Sequence, residues 1–337
     1  NHMGKLIVRI ASLLLIAAFL PTAVLAAEWN LENGSIEITA TANAEGGTTQ
    51  TVSQGGSSAE DSNPTITSNG NQTSNTITIK ADDGTTANVT IKDANISTSS
   101  AAIKTEGKGD VNLNVEGTNT VSSGDKHAGV EKSNGGKLTI GSESGEGKLT
   151  ANGGKYGAGI GGGYLHSGND ITISGGEVNA TGGTTGAGIG GGFNGDASDI
   201  AISKDSQVEA KGGAANGISD WGASIGCGGN YNGTPGEEVS PDTSGLYTTG
   251  KVERKRSDGT VLETITGTVD PSPKSASSEE EPDKREPLYR VLNLDDSSLK
   301  HQAQKADGVL ALTAKADGAI LTGTLRALGY LQNQGIE

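Results

Sequence analysis

The 337 residues include 54 glycines but only two phenylalanines, two tryptophans and six tyrosines, which excludes a conventional core of large side chains. Forty acidic against 25 basic residues leave a formal net charge of −15. Residues 10–253 also lack arginine, the usual bidentate phosphate reader, so no nucleic-acid partner is expected.

The N-terminus carries targeting features. Lys5 and Arg9 form a positive region, IASLLLIAAFL an apolar one and VLAA a small-residue cleavage site near Ala26, which together predict a signal peptide. The apolar run is too short for a good membrane span. Asn1 and His2 before Met3 read as a cloning scar, so 1–27 is set aside as scar plus signal peptide. The expectation is a secreted or cell-surface chain whose mature part has no membrane span. Its single cysteine, Cys227, rules out an intramolecular disulfide framework and stands where a repeat has glycine.

Internal repeats dominate the middle of the chain. SAAI (100–103), HAGV (127–130), GAGI (157–160), GAGI (186–189) and GASI (222–225) end on Ile103, Val130, Ile160, Ile189 and Ile225, which are 27, 30, 29 and 36 residues apart. Between these turns a first strand recurs as VTI (89–91), LNV (113–115), LTI (138–140), ITI (171–173) and IAI (200–202). A second recurs as KLTA (148–151), EVNA (177–180) and QVEA (207–210). Short alternating β-branched runs between Gly, Asn, Asp and Ser read as strands. One unit cannot bury its own Val, Ile and Leu, but stacked units can. The prediction is all-β, a right-handed parallel β-helix over 28–245.

GAGIGGG occurs at 157–163 and again at 186–192. A dinucleotide loop needs a helix after it and an acidic residue about 20 positions on. Here strand-forming segments come next, without a P-loop Lys-Ser/Thr pair, so the glycines are read as solenoid corners where stacked turns approach closely.

HAGVEKSNGGKLTI, followed by GAGIGGG with ITISGGEVNATGG, resembles secreted, pectate-lyase-like parallel β-helix proteins of Gram-positive anaerobic bacteria, a group described as carbohydrate-binding. The resemblance covers about 70–235, with a weaker echo in WNLENGSIEIT. It implies fold and compartment more firmly than ligand, and brings no catalytic motif with it.

Beyond the repeats, KVERKRSDGTVLETITGTV (251–269) alternates about Asp258-Gly259, which predicts a β-hairpin extension over 246–270. Residues 271–287, charged and Pro/Ser-rich, read as a linker. KADGVLALTA (305–314) and KADGAILTGT (315–324) look like two strands of a small C-terminal module over 288–337, with a short helix at TLRALGYLQNQ. With no sorting motif or anchor at its C-terminus, the chain reads as freely secreted or truncated.

Five of the ten aromatics lie between 156 and 231 in a regular register. Tyr156 and Trp221 precede Ile160 and Ile225 by four residues, while Tyr164 and Phe193 follow Ile160 and Ile189 by four. Tyr231 follows the last turn at a slightly different offset. Equal offsets predict two short columns flanking the corners. Exposed rings beside polar groups suit sugar recognition, since pyranose C–H faces stack on aromatic faces. The plainer reading is that the rings cover glycine backbone.

Asp170 and Asp199, each before a strand and 29 apart, with Asp110 before VNL, suggest an acidic column able to take Ca²⁺; turn closure is the alternative. A catalytic role finds little support. A lyase base would come from lysines, His127 or His166, and Asp170 with Glu177 is the best carboxylate pair. The reading is therefore a non-catalytic module for a polysaccharide or host glycan. An adhesin for a host protein, or a lyase or hydrolase on the same fold, are the alternatives.

Overall fold

The computed structural model describes residues 28–214 and 220–271, with backbone strands at Arg290–Leu294 and Ala319–Gly323. The signal-like segment, the linker beyond Pro271, the 305–314 run and TLRALGYLQNQ lie outside the described residues.

The chain is all-β; among the described residues there is one short 3₁₀ turn at Leu31–Asn33 beside three long sheets of seven, nine and eight strands. Each repeat visits the sheets in one order. Ile160–Gly161 joins the nine-stranded sheet, Gly168–Ser174 the seven-stranded one and Glu177–Thr181 the eight-stranded one. Each of these strands then pairs in parallel with its equivalent one repeat on. Among the described residues, strands pair antiparallel at the two ends of the stack, and Gly226 makes an isolated antiparallel bridge to Glu238. Thr48–Gln54 and Ser57–Glu60 fold back beside Ile36–Ala42, and Val261–Thr266 returns on Lys251–Lys255.

The corner residues form an unbroken ladder. Ile36, Ile77, Ile103, Val130, Ile160, Ile189 and Ile225 pair successively, all essentially inaccessible. A second column runs Val89, Leu113, Ile140, Ile173, Ile202, and a third runs Leu149, Val178, Val208, Val252. Burying each such side chain contributes about 1.5–3 kcal/mol, so the stability of one repeat depends on its neighbours. The core is thus built from Ile, Val, Leu and Ala, as the scarcity of aromatics requires.

In one place the register differs from the motif alignment. Leu138 pairs with Val111 and Ile140 with Leu113, so LTI sits two residues earlier against LNV than matching the triplets suggests. An even shift keeps every side chain on its own face, and the core pattern cannot distinguish the two alignments.

The two-residue corner strands explain the glycine run. Gly161, Gly190 and Gly226 are equivalent and share φ of +135, +133 and +148°, a backbone closed to side-chained residues. A Cβ on Gly161 would stand 2.0 Å from the carbonyl oxygen of Gly190.

The parallel part of the eight-stranded sheet ends on a buried cation. Arg254 continues the inward Ala151, Ala180, Ala210 column and is only 4 % exposed. Its guanidinium donates to Ser224 Oγ, the Ile225 carbonyl, Glu263 at 3.0 Å and Glu238. A planar five-donor group can satisfy this last, non-repetitive layer. Among the remaining 274–337 portion, Arg290–Leu294 pairs in parallel with Ala319–Gly323. The strand expected over 315–324 therefore lies beside 290–294.

Candidate functional site

The corner geometry decides where the aromatics go. The residue four after each corner donates its N–H to the carbonyl of the residue four before the preceding corner. Tyr164 bonds Lys126 at 2.8 Å, Phe193 bonds Tyr156 at 2.8 Å and Gly229 bonds Thr185 at 2.8 Å. This cross-repeat bond draws the two expected columns into one cluster. One line runs Lys126, Tyr156, Thr185, Trp221, and the other Tyr164, Phe193, Gly229. They interlock one repeat out of step.

All five expected aromatics meet in this cluster, with Phe193 at its hub. Its ring centroid lies 5.7 Å from Tyr156, 5.8 Å from Tyr164, 6.4 Å from Trp221 and 4.6 Å from Tyr231. The Tyr164 pair is stacked at 9°, while the Trp221 and Tyr231 pairs are edge-to-face, as ring quadrupoles favour. Phe193 is 7 % exposed, so it supports the others rather than offering a face, whereas Tyr231 is 63 % exposed. The Tyr164 and Tyr231 hydroxyls lie 2.7 Å apart. That bond to Tyr164 holds the Tyr231 phenol above its ordinary range.

The rings, with Lys126, Lys155, Thr184 and Thr185, line a half-open cavity of about 640 Å³, within the size of small-molecule sites. Lys126 Nζ sits 5.6 Å from the Tyr164 ring centroid and Lys155 Nζ 5.0 Å from that of Tyr156. Such cation–π placement holds each ammonium at the cavity. Sequence reasoning missed both lysines, although Lys126 stands four before Val130, at the same offset as Tyr156.

Trp221 plays a mixed part. Its indole packs against Gly229, where an added Cβ would come within 2.0 Å of Cδ1. Its Nε1 is buried with no hydrogen-bond partner among the described residues. This one ring therefore covers glycine backbone as well as lining the cavity.

The three aspartates are arranged differently from a continuous acidic column. Asp170 and Asp199 occupy equivalent positions with left-handed φ of 55 and 53°. Lys137 stands between Asp110 and Asp170, because Val111, Leu138 and Ile171 are successive partners. The Asp110 carboxylate accepts the Lys137 N–H at 2.7 Å, so it ties two repeats together. Among the described residues no group of three or more His, Cys, Asp or Glu side chains is placed to hold a metal ion.

Of the residues weighed for catalysis, His127 and Glu177 are engaged by other side chains, whereas His166 and Asp170 are exposed. His127 Nδ1 lies 2.8 Å from Glu131 Oε2, and that buried carboxylate also accepts the Ala128 N–H. Lys148 binds Glu177 at 3.0 Å and holds its carboxyl below the usual range, separating it in role from exposed Asp170. Burial pushes the half-buried Cys227 thiol up, away from the reactive thiolate.

A second concavity, about 390 Å³, lies on the seven-stranded sheet among Asn63, Asn88, Asn112, Asn114 and Ser174. Asn112 Nδ2 donates to Asn88 Oδ1 at 2.9 Å there, and Asn114 Oδ1 accepts the Glu143 N–H. This groove consists largely of hydrogen-bonded amides and offers no ring face.

Among the described residues no helix is long and apolar enough to cross a membrane. Compared with known proteins, the chain matches no family model, no curated protein and no solved structure.

Proposed function

We propose that this chain is a secreted or cell-surface, non-catalytic carbohydrate-binding module, built as a right-handed parallel β-helix resembling the pectate-lyase-like group. The visiting order of the three sheets and the residue-for-residue parallel pairing support the coiled architecture. The observation that carries the function is the convergence of four partly or well exposed rings around a buried fifth at one cavity. Tyr164 and Tyr231 present hydroxyls beside apolar faces, and Thr184 adds a hydrogen-bonding group. An apolar platform with a few fixed polar groups is what a sugar ring, apolar on its C–H faces and polar at its rim, requires.

The test is binding of the full chain to plant, mucin and bacterial glycans, with product release measured in the same wells. Tyr231→Ala and Tyr164→Ala are expected to weaken binding at least about tenfold, ~1.4 kcal/mol, with no shortened products. Retained affinity in both variants, or absence of any glycan ligand, overturns the reading. Glycan cleavage would instead support the enzymatic alternative.

A further inference from the structure

The cage carries a charge pattern of its own. Some lysines on this surface meet carboxylates across neighbouring strands, as in Lys80 with Glu37, Lys148 with Glu177 and Lys255 with Glu209. The two lysines that line the cage have no such partner among the described residues. Tyr156 N–H donates to the Asp125 carbonyl at 2.7 Å, which sets Lys126 and Lys155 on adjacent repeats. Neither ammonium has a carboxylate within ion-pair distance among the described residues, and both side chains are exposed.

No carboxylate lines the cavity either, although acidic residues outnumber basic ones by 40 to 25 in the chain. Asp125 precedes Lys126 but is not part of the lining, and Glu131 is turned to His127. Two unneutralised cations on turns of neighbouring repeats repel each other, and an anion set between them relieves that repulsion. The same pair argues against a quaternary-ammonium guest, which an aromatic cage alone would welcome.

We infer that the cage selects acidic saccharides, the rings stacking on a sugar face while Lys126 and Lys155 hold its carboxylate or sulfate. The inference rests on the glycan-binding reading and assigns that site its substrate class. A negatively charged protein repels acidic polymers at long range, so attraction has to be local, and at this cavity the two lysines supply it. Lysine, a flexible point charge, tolerates either anion geometry, where the planar fork of arginine would prefer one.

The experiment uses the full chain and matched pairs: sialyllactose with lactose, a galacturonic acid trimer with its methyl ester, and sulfated with unsulfated N-acetyllactosamine. Titration calorimetry reads the affinity of each at low and high salt. The expected result is a preference of about tenfold or more for at least one acidic member, shrinking with salt. The Lys126→Gln/Lys155→Gln double variant removes that preference. Both positions are exposed, and an unchanged circular dichroism spectrum checks the fold.

Which pair responds distinguishes carboxylate from sulfate. Equal affinity for the two members of every pair, or a preference that survives in the double variant, overturns this inference. If neutral sugars bind and Tyr231→Ala abolishes that binding, the glycan reading stands while this one falls. If no member of any pair binds, both fall together.

Discussion

A methyl group added at Gly186 should pry two repeats apart. Built on this backbone, the new Cβ would lie 1.9 Å from the carbonyl oxygen of Gly157 and 2.4 Å from its carbon. Ordinary contact begins near 3.4 Å, so the strands must separate by about 1.5 Å or the turn must rotate. Every atom in the way is backbone and no flexible tip can yield. The same Gly157 oxygen accepts the Gly183 N–H at 2.9 Å, and displacing it breaks that bond. Overpacking costs about 1–3 kcal/mol and a lost buried hydrogen bond about 1–3, together roughly 2–6 kcal/mol. Gly46→Ala is the control, because Gly46 has φ of +80° with open space around it and its variant carries left-handed strain alone, about 1–2 kcal/mol. Urea unfolding by circular dichroism compares the midpoints, and amide exchange localises the loss to the two adjoining repeats, since repeat arrays need not unfold in one step. If Gly186→Ala is no less stable than Gly46→Ala, close stacking does not explain the glycine corners.

Two further outcomes concern buried charges. Arg254→Met should destabilise the terminal layer by about 2–3 kcal/mol, because it leaves the Glu238 carboxylate without its cation and the Ile225 carbonyl without a donor; thermal melts check this, and an unchanged midpoint refutes it. Lys132 points inward, is 7 % exposed and donates to the Asn134 carbonyl, and burial lowers its pKa from the ordinary lysine value despite Asp170 and Asp110. A lysine whose folded pKa is lowered binds fewer protons folded than unfolded between the two values, so its contribution to stability rises with pH across that window. The difference in urea midpoint between the native chain and Lys132→Met should therefore move in favour of the native chain on going from pH 7 to pH 10; a difference independent of pH refutes it.

How far the fold could be read from the chain depended on the kind of signal. The corner ladder was legible because Ile103, Val130, Ile160, Ile189 and Ile225 each precede or follow small residues at near-constant spacing, and steric necessity leaves those residues few alternatives. The Asp258-Gly259 turn was equally local, and Lys251–Lys255 does pair antiparallel with Val261–Thr266. The register of LTI was not legible, since a two-residue shift preserves the inward face. Nor was the interruption of the aspartates by Lys137, which depends on that register. Arg254 was also hidden, because a charged residue in an alternating strand reads as outward until its buried partners are seen.

The same division holds for the candidate site. The sequence by itself determined that five aromatics gather near the glycine corners, because a repeat period converts equal offsets into neighbouring positions. Only the tertiary structure decided how they meet. The bond from each residue four after a corner to the residue four before the preceding one offsets the two lines by a repeat. That offset puts Phe193 inside, Tyr231 outside, Trp221 over Gly229, and two lysines at the rim. Spacing along the chain is a one-dimensional property carried by side-chain type, whereas which rings touch depends on backbone hydrogen bonds between repeats, which any residue but proline can make.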